Sequence, residues 1–176
     1  LSQALETGLQ LKEIEIDAAY SSPMLRAINT ALSIEPELDL IKDVRLHEKW
    51  YGPFEGVSET VYAPIKKKED TEVPLLATFE EKFSYKAHPE MESLQEIYVR
   101  TTDFIDEIRQ IHSGKNILVA THNSVMKGLF MKDAFSRGYL VEYSAFDLGN
   151  CSIVIVEVDG SGEHRVIATD RLKFRK

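Results

Sequence analysis

The feature that most constrains this chain is the run Asn116-Ile117-Leu118-Val119-Ala120, which empties straight into Thr121-His122-Asn123-Ser124. An unbroken apolar run, without polar alternation, is the pattern of a strand covered on both faces. The next residues, "VMKGLFMK", read as a helix, so a polar turn is wedged between a buried strand and a helix. The same order occurs earlier. Asp17 to Tyr20 form a short apolar strand, Ser21-Ser22-Pro23 closes it, and a helix is expected from near Pro23 to about Ile34, stopping before Pro36. Strands and helices alternating in this way imply a three-layer α/β/α fold with a mostly parallel central sheet.

Other segments fill in the frame. Residues 3 to 14 read as the later part of an amphipathic helix, and "LDLIKDVRL" as a strand around Leu38 to Ile41 that leads into "HEKWYGPFEG". Leu94, Ile97, Tyr98, Thr101, Phe104, Ile105, Ile108 and Ile111 recur in steps of three and four, the signature of one face of a long helix. Ser93 and Glu96 form a capping box at its start and Gly114 stops it. "CSIVIVEV" and "EHRVIAT" flank "DGSG" and predict a hairpin. Between Val57 and Pro89 no steady period survives. We read about 57–90 as an insertion with short helices, lying over one end of a single domain that spans 1–176. Its triplet Lys66-Lys67-Lys68 is either an exposed loop or a basic lip for an anionic substrate.

Composition narrows the partners. With 176 residues, 43% of them hydrophobic, the chain can bury one substantial core. A net charge of -8 argues against nucleic acid or an anionic membrane as partner, and no run approaches a membrane span. The single Cys151 excludes an internal disulfide and a multi-cysteine metal site, and fits a reducing, cytoplasmic setting.

Ligands of open α/β sheets sit at the carboxyl ends of the strands. Two such ends carry polar residues that packing does not require: Ser21-Ser22-Pro23 with Arg26 just beyond, and Thr121-His122-Asn123-Ser124. "RLHEKWYGPFEG" adds Glu48 after a third strand. Together they offer a guanidinium for bidentate phosphate binding, an imidazole, helix N–H donors and a proton-donating carboxylic acid. That is equipment for phosphoryl transfer without a metal or other cofactor. Each residue alone also has a plainer reading: Arg26 as a surface charge, His122 as a hydrogen-bonded strand-end histidine, Glu48 as a solvated acid. His47-Glu48 is no zinc motif, because Tyr51 stands four residues after His47. His88, His112 and His164 lack ligand spacing, and Gly160 and Gly162 only make a turn.

Taken together, these segments resemble the histidine phosphatase superfamily, the phosphoglycerate mutase-like proteins. "DAAYSSPMLRAINTA" looks like the family's strand–turn–helix segment, with Arg26 at the arginine that grips the phosphoryl group. "RLHEKWYGPFEG" is similar to the segment of the acidic proton donor, placing Glu48 there. "MESLQEIYVR" looks like the start of the family's long helix, with Met91 where glycine is common. "ILVATHNSVMKGL" resembles the segment of the second active-site histidine, which maps to His122, and Asn123 replaces the usual glycine after it. "NCSIVIVEV" resembles the penultimate strand.

The resemblance implies that a nucleophilic histidine takes the phosphoryl group and that water or a second substrate then discharges it. Arg26, His122 and Asn123 would bind the phosphoryl oxygens, His122 would stabilise the developing charge, and Glu48 would protonate the leaving oxygen. No metal or cofactor is implied, and the partner is a small phosphorylated substrate. The family's nucleophile lies in an Arg-His-Gly motif closing its first strand, and no such motif occurs here. The opening residues look like the helix after it, so the expectation is that a central first strand, with the nucleophile, lies upstream of Leu1. A phosphatase is favoured over a phosphoglycerate mutase, because the paired arginines that mutases use on the substrate carboxylate are not apparent between 57 and 90. The rival from another class is a non-catalytic module that binds a phospho-ligand without the nucleophile.

Overall fold

The computed structural model describes residues 2–37, 39–139 and 148–169. Strands β1 (Ala18–Ser21), β2 (Leu40–Lys42) and β3 (Ile117–Ala120) form a parallel sheet in the order β2-β1-β3. Tyr20 aligns with Ile41 on one side and Val119 on the other, so all three strands end at the same edge of the sheet. Helix α2 (Leu25–Ile34) packs Ala27 and Ala31 against Ala120 and Leu40. Small residues there let the helix approach the sheet closely, and α1 (Ser2–Leu11) lies alongside it. On the opposite face, α5 (Leu94–Ile111) and α6 (Asn123–Ser136) place Phe104, Ile105, Ile108 and Leu129 around Tyr20. The result is a three-layer α/β/α arrangement.

Helix α5 has both halves of its capping box. Ser93 Oγ accepts from Glu96 N at 3.2 Å, and Glu96 Oε2 accepts from Ser93 N at 2.8 Å. At the far end His112 caps the helix and its Nε2 lies 2.8 Å from the Tyr20 hydroxyl, which ties α5 to β1. Ser93→Ala removes the N-terminal bond, and a loss of about 1 kcal/mol is expected in urea unfolding of the complete protein.

Helix α6 is apolar nearly all round, burying Val125, Leu129, Phe130, Met131 and Ala134. Such a helix must be covered on several sides. Beyond α5, the cover is the hairpin of β4 (Val154–Val158) and β5 (His164–Thr169), whose Val154, Val156 and Val166 join Leu94, Ile97, Val125 and Met131 in a second core. The hairpin is antiparallel, with an irregularity between Ile155 and Val156. Among the described residues, β3 pairs only with β1 and β4 only with β5, so two separate sheets share one pair of helices.

The segment from 57 to 90 departs from the expectation of short helices. It contains α3 (Glu59–Glu72), 14 residues that run through Pro64, and then α4 (Phe79–Ser84). The lysine triplet therefore sits on a helix, and Lys68 Nζ donates to the Ala87 carbonyl at 3.3 Å. The second strand also starts later than expected, at Leu40, and Leu38 lies outside the described residues.

Candidate functional site

The turn after β1 is built by its two serines. Ser21 and Ser22 are wholly buried. Ser22 N donates to the Ala120 carbonyl at 2.9 Å, which continues the β1–β3 ladder by one residue. Ser21 Oγ donates to the Ser22 carbonyl at 2.8 Å, and Met24 N donates to Ser22 Oγ at 3.3 Å. Met24 is extended (φ -73°, ψ 133°) and forms the N-cap, so α2 begins at Leu25, two residues after Pro23. Arg26 is thus the second residue of the helix. It is exposed to solvent, yet its Nε donates to His122 Nδ1 at 3.2 Å.

His122 comes from the matching turn after β3. Thr121 Oγ1 donates to the Leu46 carbonyl at 2.7 Å, and His122 forms the N-cap of α6. Only 6% of His122 is exposed, and its Nε2 lies 2.8 Å from Ser22 Oγ. A guanidinium has no acceptor, so the Nδ1 that faces Arg26 carries no proton and Nε2–H faces the serine. Burial pulls the imidazole below its ordinary value, to about 4, with Arg26, His47 and Arg100 pushing the same way and Glu48 opposing. Near pH 7 the ring is neutral. Asn123 opens α6 beside it, with a buried Oδ1 that has no partner among the described residues.

Glu48 reaches the same place from a third element. After β2, Asp43 caps a short 3-10 turn over Val44–Leu46 by accepting from Arg45 N at 2.8 Å. The chain then swings back so that Glu48 Oε1 accepts from Lys49 N at 2.8 Å and from Ser124 N at 3.3 Å. The carboxyl group therefore sits on the amino end of α6, where the backbone favours negative charge. Arg26 and His122 touch, and Glu48 contacts the residue two beyond His122.

Several residues that the sequence did not mark build this site. Ser22 and Ser124 supply direct contacts, and their hydroxyl-rich turns were the only sign of them. Lys49, 5% exposed, pairs with the buried Glu69 of α3 at 2.7 Å and ties the Glu48 loop to the segment above it. Tyr51 lies under the same segment against Tyr62, with ring centroids 5.0 Å apart. Burial first, then the charges of Glu48 and Glu69, push its hydroxyl up to about 12. Gly52 holds φ +59°, and a Cβ there would stand 2.8 Å from the Glu90 carbonyl oxygen, so the corner requires glycine. Arg100 of α5 and Glu92, just before the helix, grip the loop.

A parallel sheet that gathers a guanidinium, a neutral imidazole, a carboxyl group and a helix amino end at its carboxyl edge defines an α/β protein equipped to receive an anion there. The model of the histidine phosphatase superfamily (branch 1) matches residues 1–170, and the chain belongs to that superfamily. A 2,3-bisphosphoglycerate-dependent phosphoglycerate mutase of Neisseria meningitidis is 31% identical over 157 residues, covering 73% of this chain and 69% of the relative. Phosphoserine phosphatase 1 of Hydrogenobacter thermophilus is 24% identical over 159 residues, covering 89% and 72%. The solved structure of Bacillus stearothermophilus YhfR superposes with a TM-score of 0.73 at 25% identity, covering 96% of this chain and 80% of its own. The relatives thus include both phosphatases and mutases. Among the described residues, no helix is long and apolar enough to cross a membrane.

Proposed function

We propose that this protein is a metal-independent phosphatase that acts on a small phosphorylated substrate, in the cytoplasm, through a phosphohistidine intermediate. The observation that carries this reading is the Arg26 Nε–His122 Nδ1 contact at 3.2 Å. A cation spent on a neutral imidazole gains little, whereas a phosphoryl group placed beside the two could take two oxygens onto the guanidinium. In this reading Arg26, His122 and the Asn123 N–H bind the phosphoryl oxygens. A nucleophilic imidazole nitrogen forms a bond to phosphorus as the ester P–O bond breaks, and Glu48 gives its proton to the departing oxygen. Water then attacks the phosphorus, the P–N bond breaks, and Glu48 takes the proton from that water.

The chain's other four histidines each have a partner or place of their own. His112 is engaged with Tyr20, His164 lies on β5, His88 faces Phe54, and the His47 ring is turned to the Glu48 carbonyl. By analogy with the superfamily's Arg-His-Gly segment, the reading assigns the nucleophile to a histidine upstream of Leu1. We propose further that about 57–90 is an insertion over the site and sets specificity. A phosphoglycerate mutase is the second reading, favoured by the 31% identical relative. It shares the first half-reaction and differs in passing the phosphoryl group to a second substrate. Without the nucleophile, the chain would be a phospho-ligand binding module.

The test is hydrolysis of an aryl phosphate by the complete protein in the presence of a chelator, with a search for an acid-labile, base-stable phosphoryl label. Activity that needs added metal, or no label on histidine, overturns the reading. Anion binding is checked separately. Arg26→Ala removes charge-assisted bonds of about 1.5–3 kcal/mol each, so phosphate affinity by calorimetry is expected to fall at least about tenfold. Binding should also take up a proton, because a dianion beside His122 favours imidazolium over the neutral ring. Sulfate stays doubly charged in mild acid, so its affinity is expected to rise as pH falls from 6.5 toward about 4.

A further inference from the structure

The loop that carries Glu48 has no regular structure of its own between the 3-10 turn at Val44–Leu46 and the next at Gly52–Phe54. One side chain holds the carbonyls on the near side of Glu48. Arg100, on the second turn of α5, donates Nη1 to the Arg45 carbonyl and Nη2 to the His47 carbonyl at 2.9 Å. The Glu48 carbonyl is a marginal third acceptor at 3.5 Å. The guanidinium is in turn held by Glu92, through Nε to Oε1 at 2.9 Å and Nη2 to Oε2 at 3.1 Å. Glu92 also grips the other side of the loop: its Oε2 accepts from Trp50 N at 2.8 Å, and its N–H donates to the Trp50 carbonyl at 2.9 Å. The side chains of Arg100 and Glu92 are only 15% and 18% exposed. Residues 45, 47 and 50 are thus pinned on both sides of Glu48.

We infer that Arg100 and Glu92 are positioning residues for Glu48, fixing the reach of its carboxyl group over the amino end of α6. The inference rests on the reading of Glu48 as proton donor, and deepens it. A planar guanidinium can face two carbonyls and a carboxylate at once, whereas an ammonium cannot span the same set. A carboxyl group set loose by the loss of this clamp would miss the leaving oxygen while leaving Arg26 and His122 undisturbed. The defect should therefore scale with how much the leaving group needs a proton, which general loss of stability would not do.

The experiment compares phenyl phosphate with p-nitrophenyl phosphate in the complete protein. The two esters have similar shape, but phenolate, with a conjugate acid near pKa ~10, needs a proton far more than nitrophenolate. Arg100→Lys is expected to lower kcat on phenyl phosphate about 100-fold and on p-nitrophenyl phosphate by less than about tenfold. Glu92→Gln, which keeps the shape of the clamp, should show the same preference more weakly. Combined with Glu48→Gln, the Arg100→Lys change should add less than about twofold, because both act on one group. Hydrogen exchange at the amides of 46–50 should quicken in Arg100→Lys while Ile97 in the core of α5 stays protected. Equal losses on both esters, or full additivity with Glu48→Gln, overturns the positioning role. If the unaltered complete protein cleaves neither ester, the phosphatase reading falls. The clamp then stands or falls on the exchange of residues 46–50, and unchanged exchange rejects it.

Discussion

Glu48→Gln is expected to lower kcat on phenyl phosphate by about 10²–10⁴, with KM nearly unchanged and the rate on p-nitrophenyl phosphate reduced far less. Glutamine keeps the size of the side chain and an acceptor oxygen for Lys49 N and Ser124 N, so the loop has no reason to move. What it loses is the transferable proton. An interaction made only in the transition state appears in kcat and not in KM. Steady-state kinetics on the two esters in the complete protein checks this. A uniform loss on both, or a loss confined to KM, would return Glu48 to a purely structural role as the cap of α6.

His122→Ala is expected to lower kcat by about 10²–10³ on both esters, since a preorganised group that stabilises charge serves any leaving group. Its partners are the exposed Arg26 on Nδ1 and the buried hydroxyl of Ser22 on Nε2, both of them polar contacts, so the fold should persist. The same substitution should alter the acid side of the stability curve. A histidine whose native pKa, about 4, lies below its unfolded value near 6.5 makes the unfolded chain the better proton binder. Its contribution is therefore fully present above about pH 6.5 and is lost as pH falls toward 4. Urea unfolding at pH 7 and pH 4.5 should show a smaller acid-induced loss in His122→Ala than in the unaltered protein. An identical pH dependence in the two would mean that His122 titrates normally.

How far the residues revealed this in advance differed from segment to segment. The strand Ile117–Ala120 was legible because an unbroken apolar run marks a strand of a parallel sheet, although only Ala120 of the four is fully buried. The period of α5 was equally plain, since Leu94, Ile97, Phe104 and Ile108 are all buried along one face. Arg26 stood out only because a cation in the first turn of a helix is locally unfavourable. Arg100 gave no such sign. An arginine on a helix reads as a solvated surface residue, and its partners lie 53 and 55 positions away in a loop without periodicity. The same limit hid the buried pair of Lys49 and Glu69, and with it the length of α3. A mean hydropathy pattern cannot show a polar helix fixed by tertiary ion pairs. The start of α2 was legible to within two residues, with Ser22 Oγ holding Met24 N where the turn ends.

The two oxygens of Glu48 are not equivalent, and this bears on how complexes of the protein can be captured. Both backbone donors converge on Oε1, so on the reading of Glu48 as proton donor Oε2 is the oxygen that would hand over the proton. In Glu48→Gln the same two N–H groups select the amide orientation, with the carbonyl oxygen at the Oε1 place and the NH₂ at Oε2. The variant is then a stable likeness of the protonated acid, able to donate a hydrogen bond to an ester oxygen but unable to release it. An ester whose leaving group needs that proton turns over slowly in such a site, so Glu48→Gln is the form in which an intact phosphate ester should be seen bound, and through which unknown substrates can be drawn from a metabolite mixture.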